Sequence, residues 1–126
     1  MPKFLIVDDD ADVTRMLTRM LEHRGHTVQS CAGPFGVSAL VLRDTPDVII
    51  LDVMMPGLEG PALATLIYNL PLKKRPQIVL WSAMDEDRLR KTGLESGLPT
   101  LPKTMPPTEL ASKLEKMAGA STSFKR

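Results

Sequence analysis

A chain of 126 residues, 43% hydrophobic and 25% charged, has the length of one domain and enough apolar material to bury a core without staples. Its formal net charge of +1 gives no electrostatic footprint for nucleic acid or for an anionic membrane surface, and its lone Cys31 excludes an internal disulfide and favours a reducing compartment, the cytoplasm. No apolar stretch reaches the ~18 residues needed to span a bilayer, and the N-terminus leads into a strand without a signal-like apolar region.

In chain order, Phe4 to Val7 is an apolar run of strand length that ends at Asp8-Asp9-Asp10. Beyond it Val13, Met16, Leu17, Met20 and Leu21 keep one helical face, and Gly25 falls where a left-handed C-terminal cap is expected. Met16, Met20 and Met117 read as core fillers, and His23 and His26, around the Gly25 turn, read as surface residues. Residues 27–30 alternate as a short second strand, and residues 34–44 carry a second helix with Pro34 near its start. Val48 to Leu51 is a third strand, ending on Asp52 and the turn Val53-Met54-Met55-Pro56-Gly57. A third helix starts at Glu59 or Pro61 and ends at Leu70, with Leu63, Leu66, Ile67 and Leu70 facing the sheet.

Pro71 and Pro76 bracket a basic loop, after which Ile78 to Trp81 forms a fourth strand ending at Ser82. Residues 83–95 hold a fourth helix that is lightly anchored, because Leu89 is nearly its only large apolar residue before Gly93. The fifth strand, Leu98 to Leu101, is hemmed by Pro99 and Pro102 and so belongs at a sheet edge. Thr108 is an N-cap candidate for a last helix carrying Leu110, Leu114 and Met117 and ending near Gly119. The expected organisation is one domain over residues 1–119 with a flexible tail over 120–126. Short apolar runs alternating with helical periods indicate βα units and an α/β fold with a parallel sheet.

If these strands are parallel, Asp8, Asp9, Asp52, Ser82 and Lys103 meet outside the carboxyl ends of the sheet, where open α/β folds bind ligands. Acidic groups, a hydroxyl and an ammonium at one place suit Mg²⁺-assisted phosphoryl transfer to a carboxylate. Each residue alone has a plainer reading: Asp8-Asp9-Asp10 as the acidic start of a helix, Ser82 as a turn serine, Lys103 as a solvated lysine. Asp10 reads as an N-cap or solvated residue.

The ordered set resembles the receiver domain of two-component response regulators over residues 3–118. Asp8-Asp9 is similar to that family's acidic pair, Asp52 to its phosphoacceptor, Ser82 to its hydroxyl switch and Lys103 to its lysine, while Met55-Pro56-Gly57 with Gly60 resembles the turn after the phosphoacceptor. The resemblance implies a flavodoxin-like (βα)5 three-layer fold with five parallel strands in the order 2-1-3-4-5. It implies Mg²⁺ bound by Asp9, Asp52 and the Met54 backbone carbonyl, with Asp8 acting through water. It also implies a signalling phosphoacceptor rather than an enzyme, a histidine kinase or histidine phosphotransfer protein as donor, and a protein target on the face made by the fourth helix, fifth strand and fifth helix. Arg88, Lys91, Lys113 and Lys116 are the candidate contacts there, and the chain is compatible with a single-domain protein or a receiver cut from a longer one.

The sequence departs from the family on its output side. The switch position three residues before the lysine, commonly aromatic, is Thr100, and Thr104 follows Lys103 where proline in a cis linkage is common. A non-proline cis bond costs ~2.5–4 kcal/mol, so either a trans bond with a shifted loop or a strained cis bond is expected. These features favour an alternative reading, a phosphorylation-independent pseudo-receiver. Met54 and Met84 resemble the positions flanking the attacking water, which predicts slow autodephosphorylation. A dehalogenase-type phosphatase would need an Asp two residues after the nucleophile, where Met54 stands, and no P-loop run exists.

Overall fold

The computed structural model describes residues 2–123, with side chains described through Gly119. The elements alternate as β1 (Lys3–Val7), α1 (Ala11–His23), β2 (Thr27–Cys31), α2 (Val37–Asp44), β3 (Val48–Asp52), α3 (Gly60–Tyr68), β4 (Gln77–Ser82), α4 (Glu86–Ser96), β5 (Thr100–Pro102) and α5 (Pro107–Ser123). All strand pairs are parallel, in the order β2-β1-β3-β4-β5. Strand alternation then sorts the core into two layers. Leu5, Val7, Ile49, Leu51, Ile78 and Leu80 pack under α2, α3 and α4, and Phe4, Ile6, Val48, Ile50, Val79 and Trp81 pack under α1 and α5. The central strands are apolar on both faces because helices cover both, and the chain reverses direction of winding between β1 and β3.

The first helix is specified at both ends. Asp10 caps it, its carboxylate accepting the Asp12 and Val13 N–H groups, and Gly25 at φ 92° closes it while its N–H reaches Glu22 O and that of His26 reaches Leu21 O. Leu17 and Leu21 are buried, whereas Met16 is 41% exposed and does not fill the core. His26 is a second departure from expectation: it turns inward, edge-on to Phe4 at 5.2 Å, and its Nε2 lies 2.6 Å from Glu115 of α5. Arg24 adds a 2.8 Å ion pair to the same carboxylate. The His26 hydrogen bond, aided by Arg24, draws the Glu115 carboxyl below its ordinary value, so α1 and α5 are stapled at the end remote from the acidic residues.

Several boundaries differ from the sequence expectation. Helix α2 begins at Val37 because Gly36, at φ 85°, ends the preceding turn, so Pro34 lies outside it. In α3 the buried face is Gly60, Leu63, Ala64 and Ile67, and Leu66, at about 100° per residue, rotates outward to 49% exposure. Helix α4 starts only at Glu86, capped by Asp85, and Leu89 is its one buried residue. Strand β5 is shifted to Thr100–Pro102, and Pro99 contributes only its carbonyl, to Leu80 N–H at 2.9 Å. Thr108 is not the cap of α5: the Pro106 carbonyl accepts the Leu110 N–H and Pro107, with its fixed φ, takes the first turn. That helix passes Gly119 and continues to Ser123, since an isolated glycine with no following proline lowers helix stability without ending the helix. The expected tail therefore loses residues 120–123 to α5, and 124–126 lie outside the described residues.

Candidate functional site

Strands β1, β3, β4 and β5 each deliver a polar group to one edge of the sheet. Val7 pairs with Leu51, Asp52 with Trp81 and Ser82 with Pro102, so Asp8, Asp52, Ser82 and Lys103 fall at successive strand ends. Asp8, Asp52 and Ser82 are buried, at 2%, 5% and 2% exposure, while Asp9 is exposed. Lys103 Nζ lies 2.7 Å from Asp8 Oδ2 and 3.6 Å from Asp52 Oδ2, and the Lys103 main-chain N–H donates to Ser82 O at 2.8 Å. Asp8 Oδ1 accepts the Asp10 N–H at 2.9 Å, Ser82 Oγ accepts the Met84 N–H at 3.1 Å, and Asp52 Oδ1 lies 3.4 Å from the Met54 N–H. The Lys103–Thr104 bond is trans, since no described peptide bond is cis.

The site carries more negative charge than it can neutralise. Burial, and then the neighbouring Asp8, push Asp52 up to about 6, against the opposing pull of Lys103 and the Met54 N–H. Carboxylate oxygens of Asp8, Asp9 and Asp52 lie within 4.8 Å of one another. An all-oxygen, anion-rich set with one member open to solvent fits a hard, water-keeping dication such as Mg²⁺.

The raised Asp52 value has a consequence for stability in the absence of metal. The folded protein holds this proton up to about pH 6, the unfolded chain only to 3.8, so folding stability falls as pH rises through that window and stays lowered above it. Asp52→Asn removes this loss. In EDTA the Asn variant is expected to melt above wild type at pH 8 by several degrees, with the gap closing towards pH 4. An equal gap at both values contradicts the assignment.

Of the residues singled out from the sequence, Asp8, Asp9, Asp52, Ser82 and Lys103 converge. Met54 borders them and is 54% exposed, and Thr100 does not join them. Thr100 sits earlier on β5, where a Cβ built on Gly93 of α4 would lie 2.9 Å from its Cγ2, so helix and strand meet closely. Met84 is drawn towards α4, its sulfur 3.9 Å from Thr92 Oγ1. Two residues have supporting roles that only the packing of the elements shows. Gly60 lies so close to the end of β3 that an added Cβ would sit 2.6 Å from Asp52 O, and Trp81 presents its ring to Lys103 Nζ at 5.3 Å from the centroid. In the sequence Gly60 reads only as part of the turn after Asp52, and Trp81 only as the last apolar residue of the fourth strand.

The fold and the strand-end cluster together define a doubly wound α/β protein with an acidic, lysine-bearing site at its switch point. Residues 4–115 match the response regulator receiver domain, and the chain belongs to that family. Among curated relatives it is 35% identical over 95 residues to the response regulator PleD of Caulobacter vibrioides, covering 75% of this chain and 21% of PleD. It is 33% identical over 117 residues to the transcriptional regulatory protein RstA of Escherichia coli, covering 90% and 47%. The chain thus spans less than half the length of either relative. The BeF3-activated N-terminal receiver domain of Klebsiella pneumoniae RstA superposes with TM-score 0.81 at 26% identity, covering 92% of this chain and 97% of that one. The receiver domain of the Francisella response regulator 1452 gives 0.83 at 25%, covering 96% and 99%. No described helix is long and apolar enough to cross a membrane.

Proposed function

We propose that this receiver domain accepts a phosphoryl group on Asp52 from a phosphorylated histidine of a kinase or phosphotransfer protein and signals through protein contact. The observation that carries this reading is the Lys103 ammonium held between the buried Asp8 and Asp52 carboxylates, with Asp9 beside them. An Asp52 oxygen attacks phosphorus, the P–N bond to histidine breaks, the imidazole leaves, and the product is an acyl phosphate. Lys103 and the Ser82 hydroxyl take two of the phosphoryl oxygens. Asp9, Asp52 and the Met54 carbonyl would hold Mg²⁺, with Asp8 acting through water. When bound, that ion neutralises charge on the phosphoryl oxygens. Asp52, ionised above about pH 6, is a carboxylate nucleophile at pH 7 to 8.

Arg88, Lys91, Lys113 and Lys116 are all exposed on α4 and α5, which supports that face as the contact surface for the downstream protein. The free Cys31 supports a cytoplasmic location. A domain over residues 1–119 takes in every described strand and the described buried residues of α5. The second reading, a phosphorylation-independent interaction module, is favoured by one observation: Thr100 packs against Gly93 and offers no aromatic ring to couple site and surface. The two readings separate on incubation with a phosphorylated histidine phosphotransfer protein and Mg²⁺, followed by borohydride trapping and peptide mapping. The proposal requires the label at Asp52 and altered amide exchange in α4; an unlabelled Asp52 contradicts it, and a label without change in α4 favours the module.

Met54 stands two residues past Asp52 and is exposed, a place from which its side chain can shield an acyl phosphate, while Met84 is turned towards Thr92. Met54→Ala is therefore expected to shorten the acyl phosphate lifetime several-fold, and Met84→Ala less. Lifetimes unchanged in both variants remove the shielding role.

A further inference from the structure

We infer that Trp81 is a positioning residue for Lys103, its indole face holding the ammonium between Asp8 and Asp52 by cation–π attraction. The inference rests on the phosphoacceptor reading for its consequence but not for its geometry. Trp81 pairs with Leu101 and Ser82 with Pro102, so Lys103 is the first residue past the β4–β5 ladder. Its main-chain N–H is tied to Ser82 O at 2.8 Å, which starts the side-chain stem beside β4. The ammonium then lies 2.7 Å from Asp8, 3.6 Å from Asp52 and 5.3 Å from the Trp81 ring centroid. The last distance is inside the ~6 Å range of cation–π contact, and with Lys103 13% and Trp81 0% exposed the contact is desolvated, where such attraction is strongest.

A lysine stem is flexible, and an unsupported ammonium would give up much rotamer freedom to stay in one place. Two carboxylates alone do not fix it, since the ammonium can sit on either. The indole supplies a third side that is rigid, because Trp81 is packed in the same core as Leu101, Leu110 and Leu114. Trp81 also carries a penalty there: its buried Nε1–H has no partner among the described residues. Phe would fill much of the space without that penalty, whereas indole offers the strongest cation-attracting face of the aromatic side chains.

The chain has one Trp, so replacing tryptophan by its mono-, di- and trifluoro analogues alters this ring alone and nearly preserves its shape. With Mg²⁺ and acetyl phosphate, the rate of phosphoryl uptake is expected to fall stepwise with fluorine number, by about three- to thirty-fold over the series, with the fold retained and Tm lowered by no more than a few degrees. Trp81→Phe should fall within that range. A flat rate series overturns the inference. A second arm does not depend on phosphorylation: in protein carrying ¹³C-lysine, the Lys103 Cε protons should be ring-current shifted in wild type, and the shift should diminish through the fluorinated series as the ammonium leaves the ring. Lys103 Cε protons at ordinary values in wild type overturn the inference even if Asp52 is phosphorylated. If Asp52 takes no phosphoryl group, the phosphoacceptor reading fails and this arm alone decides the contact.

Discussion

Lys103→Met is expected to slow phosphoryl uptake by Asp52 about 100- to 1,000-fold while tightening Mg²⁺ binding. The slowing follows from removing a preorganised cation aimed at the charge that develops on the phosphoryl group, an effect of about that size when a single stabilising donor is removed. The tightening follows from charge: Lys103 Nζ stands 2.7 Å from Asp8 and 3.6 Å from Asp52, and it competes with a dication for the same carboxylates. Lys103 is also the main influence pulling the Asp52 value down, so its loss drives that group above about 6 in metal-free protein. Initial rates with acetyl phosphate and a Mg²⁺ titration followed by Trp81 fluorescence read both quantities on one protein. Loss of rate together with loss of Mg²⁺ affinity contradicts the assignment, because it indicates a collapsed site rather than a missing cation.

Gly60→Ala is expected to destabilise the fold by about 1–3 kcal/mol, the ordinary range for forcing an extra methyl into packed structure. The methyl would lie 2.6 Å from Asp52 O and 3.2 Å from Val53 Cα, both backbone atoms, and the Gly60 N–H is bonded to Val53 O at 3.0 Å, so neither partner can step aside cheaply. The shift falls on the main chain that carries Asp52, and phosphoryl uptake should drop together with the melting temperature. Gly119→Ala is the control: among the described residues nothing lies within 4 Å of the added Cβ in α5, and the change should stabilise by about 0.5–1 kcal/mol. Calorimetry checks both, and a neutral Gly60→Ala contradicts the close approach.

The site residues are legible in the sequence because each stands at the end of an apolar run, and in a parallel sheet such ends face one way. Asp8, Asp52 and Ser82 need only strand identity and direction to be placed together, and Lys103 needs only one further step past a proline-limited edge strand. The order of the strands came from resemblance to a family, since apolar periodicity does not say which strands are neighbours. What stayed hidden depends on distances between elements. Gly60 reads as part of a turn until α3 is laid against β3, and Trp81 reads as the end of a strand until Lys103 crosses its ring. His26 looked exposed because its partners, Phe4 and Glu115, are remote in sequence. Helix ends depart from the apolar pattern where backbone chemistry outweighs it: Pro106 and Pro107 displace Thr108 as the start of α5, and Gly36 delays α2.

The most direct measurement is intact mass of wild type and Asp52→Asn after incubation with Mg²⁺ and acetyl phosphate, with an EDTA control. One added phosphoryl group is expected on wild type, lost in EDTA and absent from the Asn variant. An unmodified wild type, or an adduct that persists in Asp52→Asn, would contradict the phosphoacceptor reading.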